Sequence, residues 1–199
     1  MLDNNLSMDK QILSIRKKSY AQIRRISSIR QFLTEDATKK LISACVLSQL
    51  DYCNALLADY PKTSLNALQL VQNDAARLVF RARRTQHVSP LLQQLHWLPI
   101  EKRVKYKICC ILYNIYNQTA PSYLCDRVRI YKPNRELRSA TEPKFDKAPK
   151  FNREGHGGHS VPVLADRHWN NLPLAIRQSP SISSFKQKLK TYLFDQAFW

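Results

Sequence analysis

Glycine is nearly missing from this chain: of 199 residues only three are glycine, all between Gly155 and Gly158. Such scarcity argues against a fold of many tight β-turns and leaves no glycine-rich loop to cradle a nucleotide phosphate. Long apolar runs are lacking too. No stretch approaches the roughly 18 uncharged apolar residues that a membrane span needs, and the opening MLDNNLSMDKQ has no apolar core of the signal-peptide kind. The expectation is a soluble intracellular protein, nuclear or cytoplasmic, neither membrane-bound nor secreted. Cysteine is sparse and odd in number. Cys45, Cys53, Cys109, Cys110 and Cys125 sit mostly in apolar patterns and read as reduced core residues rather than a disulfide framework.

Acidic residues are the other shortage. Fifteen Asp and Glu face 32 Lys and Arg, a formal charge of +17 and an isoelectric point near 9.9. A field of that sign attracts phosphates or an acidic partner, although charge alone also serves solubility or balances an acidic remainder elsewhere. Two-metal phosphoryl transfer needs clustered carboxylates, and no Asp-Asp pair occurs. Asp51-Tyr52 lies near a helix end without a second aspartate and reads as structural. Cys125, His156 and His159 fail the paired spacing of a zinc site. No nucleophile elbow is present. The expectation is no catalytic residue, no metal and no cofactor.

What is present is helical periodicity, with 44% hydrophobic residues to build a core. Ile12, Ile15, Ser19, Ile23 and Ile26 form one stripe from Ser7 onward, with Lys17, Lys18, Arg24 and Arg25 on the opposite side. Thr34 is a fitting N-cap, followed by Glu35 and Asp36 in a first turn, and a second helix runs through Leu41, Ala44, Cys45 and Ser48 toward Tyr52. After Tyr60-Pro61, Ser64 can cap a third helix bearing Leu65, Leu68, Gln72, Ala75, Ala76 and Val79. Three helices with short connections suggest a small antiparallel bundle.

Ser89 as N-cap with Pro90 as first helical residue marks a short helix, and Pro99 repeats the device before Ile100, Val104, Ile108, Ile111 and Ile115. Between Asp126 and Gly158 the chain reads as a basic, extended connector. Order returns over Val161 to Leu174, and a last helix spans Ile182 to Phe198 with Phe185, Leu189 and Leu193 at helical spacing. The absence of a fixed-period repeat excludes a solenoid. The fold expected is mainly α: a small helical bundle over 1–120 including a long amphipathic helix, a basic irregular connector over 121–160, and a C-terminal helical segment over 161–199.

Arg77, Arg81, Arg83, Arg84 and His87, followed by Lys102, Arg103, Lys105 and Lys107, make the densest basic stretch. Together with the α1 cations they are the candidate phosphate contacts. Trp97 and Trp169, beside Leu-Pro and Asn-Leu-Pro turns, are assigned to the core rather than to base stacking.

Several strings, SIRQFLTEDATKKLISACVLSQLDYCNALL, LQLVQNDAARLVFRARRTQHVSPLLQQLHWLPIEKRVKYKI, APSYL, LRSA and WNNLPLAIRQSPSISSFKQKLKTYLF, together resemble the region after the polymerase palm in non-LTR, LINE-type retrotransposon reverse transcriptases of the jockey and chicken-repeat group. The resemblance covers roughly Leu2 to Phe198. It implies that the first helices form a thumb-like grip on a primer-template duplex, with a polymerase tail behind them. The implied partner is RNA, DNA or an RNA-DNA hybrid, and the missing palm is a second. Asp166 and His168 depart from the family's usual proline and leucine. With Met1 falling just past the palm's expected end, this reads as a truncated or decayed copy, catalytically inactive alone. A helical protein-interaction module for an acidic partner and an open reading frame without selected function remain as alternatives.

Overall fold

The computed structural model describes residues 8–132, 142–148 and 160–199. The chain is mainly α-helical, and among the described residues the β pairing is a single antiparallel bridge between Ile130 and Phe145. No helix among them is long and apolar enough to cross a membrane. Two compact units are present: Met1–Val104 with Gln196–Trp199, and Lys105–Asp195. The division falls inside one long helix, rather than at the expected borders near 120 and 160.

In the first unit, α1 (Asp9–Ile29) buries Ile12, Ile15, Ser19, Ile23 and Ile26, the stripe expected from spacing. A 3-10 turn, Arg30–Phe32, leads to α2 (Glu35–Ile42), where Thr34 is the N-cap and its hydroxyl accepts from the Ala37 amide at 3.2 Å. A π turn over Ser43–Leu47 joins α2 to α3 (Ser48–Asp51). That turn moves the buried face. Ile42, Val46, Leu47 and Leu50 fill the core, whereas Ala44 and Ser48 are exposed and Leu41 and Cys45 half-buried, against the simple 3.6-residue expectation.

Helix α4 (Lys62–Phe80) buries Leu65, Leu68, Val71, Gln72, Ala75, Ala76 and Val79. Ser64 does not cap it. The Pro61 carbonyl accepts from the Ser64 and Leu65 amides, so Pro61 holds the cap and the Ser64 hydroxyl turns to Asp9 Oδ1 at 3.4 Å. The pairs Ser64–Asp9, Tyr20–Asp74 and Arg30–Val79 show α1 and α4 running parallel, and the Ser19–Gln49 bond sets the α2–α3 rod antiparallel between them in sequence. This is the up-down-up bundle that short connections favour.

Helix α5 (Ser89–Leu95) begins one residue earlier than expected, with Val88 rather than Ser89 as cap. Pro99 likewise caps α6 (Ile100–Tyr116) from outside, accepting the Arg103 amide at 2.9 Å. Two glutamines of α4 hold this junction. Gln69 Oε1 accepts the Ile100 amide at 2.8 Å, satisfying one of the unpaired donors at the helix start, and buried Gln72 donates to the Leu98 carbonyl at 2.9 Å. Trp97 is buried as expected.

The second unit is built around rings. Tyr113 and Tyr116 of α6, Phe145, Trp169 and Phe185 pack with centroids 4.5–6.3 Å apart. Besides α7 (Ser122–Cys125), it contains α8 (Val161–Leu164), a π turn over Ala165–Trp169, α9 (Leu174–Arg177) and most of α10 (Ile182–Phe198). The Trp-Asn-Asn-Leu-Pro string is a clamp on an extended segment. Trp169 Nε1 donates to the Pro143 carbonyl at 2.9 Å, and Asn170 pairs with both the amide (3.0 Å) and carbonyl (3.1 Å) of Phe145. Buried Arg177 adds a bond to Pro143 O at 2.6 Å and another to Leu172 O at 3.0 Å.

Five residues without a glycine's freedom take left-handed backbone: Cys53, Asp59, Arg81, His96 and Gln118, with φ of 52–56°. Arg81 and His96 end α4 and α5 in this way.

All described cysteines are free thiols, as the spacing suggested, but Cys53 is exposed rather than core. Burial pushes the Cys109 thiol up to about 12. Thiolate is the reactive form, so at pH 8 Cys109 has almost none of it. Maleimide labelling of the folded chain followed by peptide mapping is expected to modify Cys53 within minutes and leave Cys109 intact. Equal labelling of the two would show that the α6 core opens readily.

Candidate nucleic-acid interface

No acidic residue occurs between Asp9 and Glu35, so α1 carries its cations unbalanced. Lys17, Lys18, Arg24 and Arg25 are all exposed, opposite the buried stripe. Lys17 and Arg24, like Lys18 and Arg25, are seven residues apart, which at 1.5 Å per residue sets each pair about 10 Å apart along the axis. The result is two short parallel rows of positive charge.

The arginines that close α4 are less uniform. Arg77 is half-buried and its Nη1 lies 3.1 Å from Asp74 Oδ1; the same carboxylate accepts from Tyr20 at 2.8 Å. Burial raises the Tyr20 phenol above its ordinary range, and the bond to Asp74 raises it further. Arg81, exposed, donates to the carbonyls of Arg30 (3.1 Å) and Gln31 (3.4 Å). Arg83, Arg84 and His87 stand exposed on the turn that follows. Because α1 and α4 are parallel, this turn lies at the same end of the bundle as Arg24 and Arg25.

Lys102 and Arg103 lie elsewhere. The bonds of Gln69 to Ile100 and of Gln72 to Leu98 place the start of α6 level with the middle of α4, about 18 Å along the axis from Arg81. Arg103 is half-buried and grips Asp51 through both nitrogens of one guanidinium edge, with Nε to Oδ1 at 2.8 Å. Lys102 Nζ donates to Gln196 Oε1 at 3.1 Å. The run that is densest in sequence is therefore divided in space. Lys105 and Lys107 belong to the other unit, where Lys105 is half-buried near the Cys109 thiol and Lys107 is exposed.

Asp51 ends α3 and serves Arg103, the structural role expected of it. His96 is exposed at the left-handed end of α5. Among the described residues no cluster of three His, Cys, Asp or Glu is arranged to hold a metal ion; His156 and His159 lie outside them.

Two functional features escaped the sequence reading. Arg30 is only 9% exposed and sends Nε to Leu78 O (3.0 Å), Nη1 to Leu33 O (2.7 Å) and Nη2 to Val79 O (2.6 Å). Its position four residues after Ile26 continues the buried stripe, which was the available signal. Beside it Phe32 is 80% exposed. No family model, curated protein or solved structure matches the chain.

Proposed function

We propose that the helical bundle of this chain grips the phosphates of RNA, DNA or an RNA-DNA hybrid and is inactive as a polymerase alone. In this reading the chain is a thumb-like and tail segment of a retrotransposon RNA-directed DNA polymerase, as the family strings imply. The observation that carries the reading is the acid-free α1, with Lys17, Lys18, Arg24 and Arg25 exposed toward the end where Arg83 and Arg84 stand. Exposed cations that give up no intramolecular partner on binding release counterions from a polyanion at little cost. Arg77, Arg81 and Arg103 already hold carboxylate or carbonyl oxygens, so they act mainly as scaffold.

Fluorescence anisotropy with a short RNA-DNA hybrid at rising KCl tests this. Each neutralised phosphate contributes about −0.9 to the slope of log K against log salt. Converting Lys17, Lys18, Arg24 and Arg25 together to glutamine is expected to flatten that slope by about two to four and weaken binding about tenfold, with no change in sequence preference. A chain that retains no hybrid at low salt, yet binds an acidic polypeptide, belongs to the protein-interaction class instead.

A further inference from the structure

Phe32 is a large apolar ring held out in water, 80% exposed, on one of the most firmly fixed pieces of backbone in the first unit. The 3-10 turn Arg30–Phe32 is closed by the Leu33 amide on Arg30 O at 3.3 Å. On both sides of the ring, guanidinium groups hold the main chain. Arg30 binds Leu33 O from within, and Arg81 reaches across to Arg30 O and Gln31 O. Ile29, 45% exposed, precedes the turn. An exposed ring on a floppy loop would be unremarkable surface. Here five guanidinium bonds, counting those from Arg30 to Leu78 and Val79, fix the mount, so the ring loses little freedom on meeting a flat partner.

The surroundings name the partner. Arg81, Arg83 and Arg84 are exposed on the adjoining turn, and Arg25 lies one to two helical turns earlier on α1. An aromatic face flanked by cations is the arrangement that stacks a nucleobase while the cations meet its phosphates. We propose that Phe32 is a base-stacking platform, taking the terminal unpaired nucleotide of a strand whose duplex portion lies on the basic face of α1. The proposal rests on the phosphate-gripping reading above and adds a site for a base, which charge alone does not supply.

The test uses the whole chain with two RNA-DNA hybrids, one blunt and one ending in a single unpaired 2-aminopurine, in low-salt buffer. The unsubstituted chain should bind the overhang hybrid about tenfold more tightly, the order expected of one stacked base, and quench its fluorescence. Phe32→Ala should abolish both the preference and the quenching while leaving blunt-hybrid affinity within about twofold. Phe32→Tyr should keep both, and Phe32→Leu, apolar without a π face, should lose most of each. Equal affinity of the unsubstituted chain for the two hybrids overturns the platform and leaves the phosphate grip standing. Retention of neither hybrid removes the phosphate grip and the platform together. A full preference in Phe32→Leu overturns stacking as the cause.

Discussion

Trp169→Ala is expected to destabilise the Lys105–Asp195 unit by about 3–5 kcal/mol, the range for deleting a fully buried large ring. Trp169 is completely buried, and four other rings contact it or one another around it. Its removal opens a cavity between Tyr116, Phe145 and Phe185 and takes away one of the two donors on the Pro143 carbonyl. Trp169→Phe separates the two contributions. It keeps most of the packing and loses the indole N–H, and because Arg177 still serves Pro143 O the cost should be nearer 1–2 kcal/mol. Urea denaturation followed by near-ultraviolet circular dichroism reads both. An alanine variant within about 1 kcal/mol of the parent would mean that the ring cluster does not hold this unit together.

Arg30→Met carries a comparable expected loss, about 3–5 kcal/mol, for a different reason. The last carbonyls of a helix have no partner within it, and Leu78 O and Val79 O are two of these at the end of α4. A cation there also meets the negative end of the helix dipole. Methionine fills the space and leaves three carbonyls without the charged donor, each bond worth roughly 1.5–3 kcal/mol and not fully additive. Arg30→Lys should recover only part, since one ammonium cannot fork toward Leu33, Leu78 and Val79 together. Hydrogen exchange is the sharper measurement: amides of the last two turns of α4 should lose protection in both variants, more in methionine than in lysine. Unchanged protection would show that Arg30 is dispensable to the junction.

Much of the helical frame was legible because one-sided burial leaves a periodic trace. The Ile12 to Ile26 and Leu65 to Val79 stripes, the Thr34 cap and the Ile182–Phe198 span all stand in the structure as spacing implied. The α2–α3 rod was misread because the π turn at Ser43–Leu47 adds a residue to one turn and rotates everything after it. The site was less legible than the frame. Sequence counts arginines alike, yet Arg103 spends its fork on Asp51 while Arg83 stands in water. Only three-dimensional placement distinguishes a cation that holds the fold from one available to a phosphate. The hold of Asn170 on Phe145 spans 25 residues and leaves no local pattern at all.

The near-absence of glycine has a thermodynamic echo in the left-handed residues at chain reversals. Cys53, Asp59, Arg81, His96 and Gln118 each carry a Cβ into backbone space that costs side-chain-bearing residues about 1–2 kcal/mol. The molecule thus tolerates a distributed conformational debt that bonds such as those of Arg81 to the α1 terminus offset. Its native state has unspent headroom at the corners rather than in the core, where ordinary drift toward glycine would relax the chain instead of harming it.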